Sequence, residues 1–211
     1  MKKKHQYLVV GLGRFGSALA TTLVEQGAQV LAIDRSMEAV EAHRSRLTDV
    51  VCGDALDASV LAQLGVSDFT AAIITMGDDV KASSVITMHL KELGVPYVIA
   101  KAADDFHGRM LTRLGADKVI FPERDMGQRV AHNLVSEKIM DFIELSPDYS
   151  LMEMAPRQEW IGKPLRALNL RGKHRINVVA VRSGETVNAM PDPDIVLGAD
   201  DVMLVVCQAE A

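Results

Sequence analysis

Gly11-Leu12-Gly13-Arg14-Phe15-Gly16 follows the apolar run Tyr7-Leu8-Val9-Val10 without a break and opens a segment, residues 15–26, with helical spacing. A glycine turn in this place joins a buried strand to a helix. The first glycine permits the tight turn, the second lets an anion approach the backbone, and the third lets helix and strand pack closely. The first turn of the helix offers unpaired N–H groups to that anion. Asp34 ends the next apolar run, where a carboxylate accepts hydrogen bonds from ribose hydroxyls. Together these signals predict a nucleotide site, because a glycine turn serving packing alone leaves Asp34 unexplained.

Outward from this turn, apolar runs at 7–10, 30–33, 50–52, 71–75, 97–100 and 118–120 alternate with helical segments at 15–26, 37–46, 59–64, 80–93 and 106–114. Gly27, Gly65, Gly94 and Gly115 stand where helices end. Strands apolar on both faces, each followed by a helix, imply an α/β fold with a doubly wound parallel sheet. The expected organisation is a Rossmann-type nucleotide-binding domain over 1–122, a connecting and dimerising helix with its linker over 123–146, and a small α+β lobe over 147–211.

The middle piece rests on residues 124–143, which read as one long helix with apolar positions at Val130, Leu134, Val135, Ile139 and Phe142, before a linker marked by Pro147 and Asp148. Such a helix is too long for a crossover. The final lobe shows strand-like runs at 151–154, 177–181 and 202–206, a short helix after Pro164, and turn signals at Ser183-Gly184 and 191–193. About 60 residues is small for an independent core, so this lobe is expected to gain stability by dimerising.

Composition narrows the class. With 48% hydrophobic and 24% charged residues the chain can fill a core, and a net charge of -5 speaks against nucleic acid as a partner. Lys2-Lys3-Lys4 reads as a solvated leader. No apolar run approaches the roughly 18 residues of a membrane span, and no signal-peptide pattern opens the chain, so a cytosolic protein is expected. Cys52 and Cys207 lie far apart without metal-ligand spacing and read as buried reduced thiols. His43, His89, His107 and His132 fall within helical segments and read as surface or packing groups.

Further signals collect at the carboxyl ends of the expected strands, where ligands of such sheets bind. They are Gly53-Asp54, Thr75-Met76-Gly77-Asp78-Asp79, Lys101 and Glu123-Arg124-Asp125. Each also has a plainer reading as a surface charge, and Asp78 serves equally well as a helix N-cap.

The stretches GLGRFG, AID, GDA, KELGV, KA, LGAD, PERDMGQRVAHNLVS, DFIELS and RGKHRINVVAV, in that order, closely resemble the TrkA-type regulatory subunits of Ktr potassium uptake systems, within the wider class of RCK domains that regulate potassium conductance. The resemblance covers essentially the whole chain. It implies a non-enzymatic cytoplasmic subunit, peripheral to the inner face of the membrane, that forms a homo-oligomeric ring (an octamer) under an integral-membrane potassium-translocating partner. It further implies ATP or ADP at a site made of Gly11, Gly13, Arg14, Phe15, Gly16, Asp34, Arg35, Asp54, Ala55, Met76, Gly77, Asp78, Lys101 and Glu123. By the same resemblance Arg14 senses the γ-phosphate of a neighbouring subunit's ATP. Asp54 lies near the base, and Lys101 neutralises phosphate charge. Glu123 helps hold a divalent cation, magnesium or calcium, at a dimer interface. Arg171, Asn177 and Pro191 fall where the family contacts c-di-AMP, although His174 and Arg175 replace its more usual aromatic and glycine residues.

Two other functions fit parts of the sequence. An NAD-dependent oxidoreductase would use the same glycine turn and Asp34, but only a small tail remains for a substrate domain. A redox-sensing, NADH-binding transcription regulator would need a DNA-reading helix pair and a basic face, and neither is evident.

Overall fold

Strands β1 (Gln6–Val10), β2 (Gln29–Asp34), β3 (Asp49–Cys52), β4 (Ala71–Ile74), β5 (Val98–Lys101) and β6 (Lys118–Ile120) pair in parallel in the order β3-β2-β1-β4-β5-β6. The computed structural model describes residues 5–135, 139–146 and 148–208. The crossovers are α1 (Arg14–Glu25), α2 (Met37–His43), α3 (Ala58–Gln63), α4 (Val80–Glu92) and α5 (Asp105–Arg113). Because successive side chains of a strand point to opposite faces, Val9 joins Ala20, Val30 and Val40 on one side of the sheet, while Leu8 and Val10 join Leu61, Ile86, Leu90 and Leu111 on the other. Full burial of each such side chain contributes about 1.5–3 kcal/mol, which is why both faces hold their helices. The Rossmann-type, doubly wound sheet expected from the alternation is the one observed.

The helices stop and start on local chemistry. At the end of α1 the left-handed turn at Gly27 (φ +84) lets the Ala28 N–H reach back to the Leu23 carbonyl at 3.0 Å. At their starts, α2, α3, α4 and α5 are capped by the side chains of Ser36, Asp57, Asp79 and Asp104. Asp79 rather than Asp78 is therefore the cap of α4.

The chain forms two compact units, Met1–Pro122 and Glu123–Ala211. The second unit takes up α6 (Pro122–Val135) and an antiparallel sheet of β7 (Ile139–Ser146), β8 (Tyr149–Met154), β9 (Ile176–Ser183), β10 (Thr186–Ala189) and β11 (Val202–Gln208), in the order β10-β9-β11-β8-β7. Short helices α7 (Leu165–Leu168) and α8 (Leu170–His174) precede β9. The unit has a core of its own, with Trp160, Leu168, Leu170, Val181, Leu197, Met203 and Val205 buried together.

Here the structure corrects the sequence reading. The single helix expected over 124–143 ends at Val135, and residues 139–146 form β7, paired with β8 from Ile139↔Met154 to Ser146↔Tyr149. Ile139 and Phe142 fit a helical stripe, but their segment is also rich in β-branched and aromatic residues, and a neighbouring strand decides the matter. The expected linker is the return of this hairpin, where the Asp148 N–H donates to Ser146 Oγ at 3.3 Å; Pro147 and Lys2-Lys3-Lys4 lie outside the described residues. Cys52 is exposed at the end of the edge strand β3 rather than buried, and Cys207 is half-buried; neither is in a disulfide.

Candidate functional site

The strand order reverses between β1 and β4, which lie side by side while their crossovers leave in opposite directions. The glycine turn after β1 therefore opens at the switch point, beside the loop that follows β4. Two hydrogen-bonded anchors hold it there. Asp34 Oδ2, at the end of β2, accepts from the Leu12 N–H at 2.6 Å, while its Oδ1 accepts from the Ser36 N–H at 2.8 Å. The Thr75 hydroxyl, at the end of β4, lies 2.8 Å from the Gly11 carbonyl and 3.0 Å from the Val10 carbonyl, sharing its proton between them.

The three glycines have separate physical reasons. Gly11 has a left-handed φ of +97. A Cβ on Gly16 would come within 2.0 Å of the Gly11 carbonyl oxygen and 2.6 Å of Thr75 Oγ1, so that position is closed by packing. A Cβ on Gly13 would meet nothing within 4 Å, and its φ of -65 suits any residue. Neither packing nor backbone strain demands Gly13. Its neighbour Arg14 is exposed and begins α1, which, unlike α2 to α5, carries no side-chain cap; its first turn holds no acidic residue. The first N–H groups of α1 thus remain a positive helix end facing the turn.

A cleft at the same sheet edge brings together Asp34, Arg35, Asp54, Ala55 and Met76 over an apolar floor that includes Ile33, Ala82 and Ile86. Asp54 is exposed, and its Oδ1 accepts from the Leu56 N–H at 3.0 Å, shaping the turn after β3. Phe15 is half-buried on α1, and Asp78 is exposed. Gly77 and Lys101 meet at the ends of β4 and β5, where a Cβ on Gly77 would stand 2.9 Å from Lys101 Cγ. The missing side chain makes room for the lysine stem, and Lys101 is 7% exposed. Sequence reasoning named Thr75 only within the signal that ends the fourth strand, gave it no contact of its own, and gave the Leu12 N–H no role. The signal for Thr75 was a hydroxyl ending an otherwise aliphatic strand.

The remaining sequence-derived residues lie in the second unit. Glu123 is exposed in the first turn of α6 with Asp125, where carboxylates also suit the helix dipole. Among the described residues no three His, Cys, Asp or Glu side chains are grouped to hold a metal. Asn177 is exposed on β9. The Met190 N–H bonds the Val179 carbonyl at 3.0 Å, so Pro191 follows at the Asn177 end of β9, while Arg171 lies on α8. At the two departures from the family pattern, His174 sits 5.4 Å from the Trp160 ring, and Arg175, with a left-handed φ of 55, donates to Gln208 Oε1 at 2.7 Å.

The TrkA-N domain matches residues 7–122 and the TrkA-C domain matches 151–211. The Ktr system potassium uptake protein C of Bacillus subtilis (strain 168) is 38% identical over 96% of this chain and 92% of its own length. The chain belongs to the Ktr family of potassium-uptake regulators. As a Ktr regulatory subunit it is an RCK-type, nucleotide-binding protein of potassium transport, and such subunits work with a membrane potassium transporter. The fold recurs in a solved GsuK channel bound to NAD, at a TM-score of 0.71 and 16% identity over 98% of this chain and 38% of that one. It recurs as well in GsuK bound to ADP, at 0.53 and 22% identity over 60% of this chain and 34% of that one. The Ktr chain thus spans little more than a third of those channel chains. Among its described residues no helix is long and apolar enough to cross a membrane.

Proposed function

We propose that this Ktr subunit is a cytoplasmic nucleotide switch, peripheral to the inner face of the membrane, that reports ATP against ADP to its potassium-translocating partner through a ring of identical copies. One observation carries the reading: α1 opens uncapped at Gly13, in open space, where α2 to α5 are all closed by their own Ser or Asp. That helix end suits a phosphate. The Asp34 carboxylate retains acceptor capacity for ribose hydroxyls beside its two backbone bonds. Asp54, Ala55 and Met76 line the apolar-floored cleft beside which an adenine would lie.

Arg14, exposed at the start of α1, is the group for the γ-phosphate of a neighbouring copy's ATP, and Lys101 for the remaining phosphate charge. A contact made with ATP and absent with ADP is what shifts a two-state ring; tight binding common to both shifts nothing. Glu123 supplies a single carboxylate. A hard divalent ion such as magnesium or calcium takes six or more oxygens, so Glu123 fits as one arm of a site completed by phosphates and a second copy. Bound there, the ion would neutralise phosphate charge. A second effector, c-di-AMP, is the reading for Arg171, Asn177 and Pro191.

One other cofactor has specific support, since GsuK is solved bound to NAD as well as to ADP. Calorimetry of the full chain with ATP, ADP, NADH and c-di-AMP separates them. ATP and ADP are expected to bind most tightly, and NADH binding without ATP binding would replace the switch by an NAD(H)-linked function.

A further inference from the structure

His107 is 1% exposed within α5, and both of its ring nitrogens are engaged. Nδ1 lies 3.1 Å from the Ala103 backbone N–H, which can only donate, so the ring proton sits on Nε2 and is donated to Ser83 Oγ at 3.0 Å. The Ser83 hydroxyl in turn donates to the Asp79 carbonyl at 2.7 Å. Burial pushes the imidazole below its ordinary 6.5, and the Asp104 carboxylate offsets part of that, so the neutral tautomer is the one held. An aliphatic side chain would fill this space without burying polar nitrogens. What the histidine adds is a bridge between two backbone loops. One is the loop from Thr75 to Asp79 that opens α4; the other, Ala102 to Asp104, follows Lys101 at the end of β5 and opens α5. The strands beneath them are paired, Ile74↔Ala100, and the Gly77–Lys101 contact lies between the two loops.

We propose that His107 is a positioning residue for Lys101, fixing the separation of these loops so that the lysine is presented to the nucleotide phosphates. The proposal rests on the assignment of Lys101 to those phosphates. Double-mutant cycles on the full chain test it, with ATP and ADP affinities read by calorimetry and folding read by thermal unfolding. His107→Phe keeps the volume and removes the bridge. Ser83→Ala cuts the same bridge from α4 with a good helix former, and it decides the matter if the first variant does not fold. Each is expected to weaken ATP binding by about three- to tenfold in the otherwise native chain, and by less than about twofold in a Lys101→Met background. Affinity unchanged by Ser83→Ala, or an equal loss in both backgrounds, overturns the positioning role and leaves Lys101 at the phosphates. Lys101→Met binding ATP as the native chain does removes Lys101 from the site and the proposal with it.

Discussion

The Asp34 carboxylate accepts the Leu12 N–H at 2.6 Å, so the acid that ends β2 also braces the glycine turn after β1. In the proposed site one side chain thereby shapes the phosphate loop and also meets the ribose. Asp34→Asn is expected to weaken both ATP and ADP binding by about 1–3 kcal/mol, the cost of leaving hydroxyl and amide donors poorly paired. It should lower the stability of the nucleotide-free protein as well. Calorimetry and thermal unfolding measure the two effects, and affinity equal to the native chain would place the ribose elsewhere.

Gly13 and Gly16 should part company when substituted. Gly16→Ala drives a Cβ to within 2.0 Å of the Gly11 carbonyl oxygen, an overpacking expected to cost about 3 kcal/mol or more. Gly13→Ala meets nothing within 4 Å and is expected to change stability by less than about 0.5 kcal/mol while sharply weakening nucleotide binding. Chemical denaturation and calorimetry on both variants give the comparison. A Gly13→Ala protein with native affinity would mean the phosphates do not approach that backbone.

Arg14→Ala tests the switch rather than the binding. A charge-assisted hydrogen bond to the γ-phosphate contributes about 1.5–3 kcal/mol, and copies around a ring compound it. The variant should bind ADP almost normally, lose most of its preference for ATP, and fail to raise potassium flux in liposomes holding the membrane partner. Full ATP activation would locate the switch outside the glycine turn.

Glu123→Gln addresses the cation. Nucleotide affinity without divalent ions should be preserved, and any gain from magnesium or calcium should be blunted. If titrations of the two proteins show the same metal dependence, Glu123 is not a ligand.

Stability should fall on mild acidification. The neutral form of buried His107 is favoured on folding, so below its ordinary 6.5 the unfolded chain takes up a proton that the folded chain resists. That contribution is complete above about 6.5 and is lost as pH falls toward the depressed folded value. Asp104, the cap of α5, is the carboxylate that acts on this group, while Asp79, the cap of α4, meets it only through the backbone carbonyl that accepts from Ser83. Asp57 and Asp117 act in a lower window. Bonds from Ser59 hold the first below its ordinary 3.8, and the Val98 N–H, at 2.7 Å, does the same for the second. Their contribution is present above 3.8 and lost on further acidification. Thermal unfolding from pH 8 downward, repeated on His107→Gln, should show the upper limb flatten in the variant.

The sequence by itself determined the parallel sheet, its helices and the edge where the site lies. Those follow from local causes: aliphatic runs that suit strands buried on both faces, helical spacing between them, glycines at helix ends, and a glycine turn whose partner acid sits one strand away. Asp34 and Asp54 were legible as acids ending strands at that edge; that they line one cleft with Arg35, Ala55 and Met76 came from the fold. Tertiary structure alone decided the rest. Residues 139–146 carry apolar positions compatible with helix or strand, and only β8, contributed by residues beyond the turn, offers the ladder that selects the strand. Gly13 and Gly16 are the same letter in the sequence, yet one faces open space and the other a carbonyl oxygen, because a neighbour's position is not written in a residue's identity. Thr75 reaches Gly11 across 64 positions, and His107 reaches Ser83 across 24. No local pattern encodes such contacts; they exist once the sheet order sets β4 beside both β1 and β5, bringing distant polar groups within hydrogen-bond reach in a core that leaves them no water.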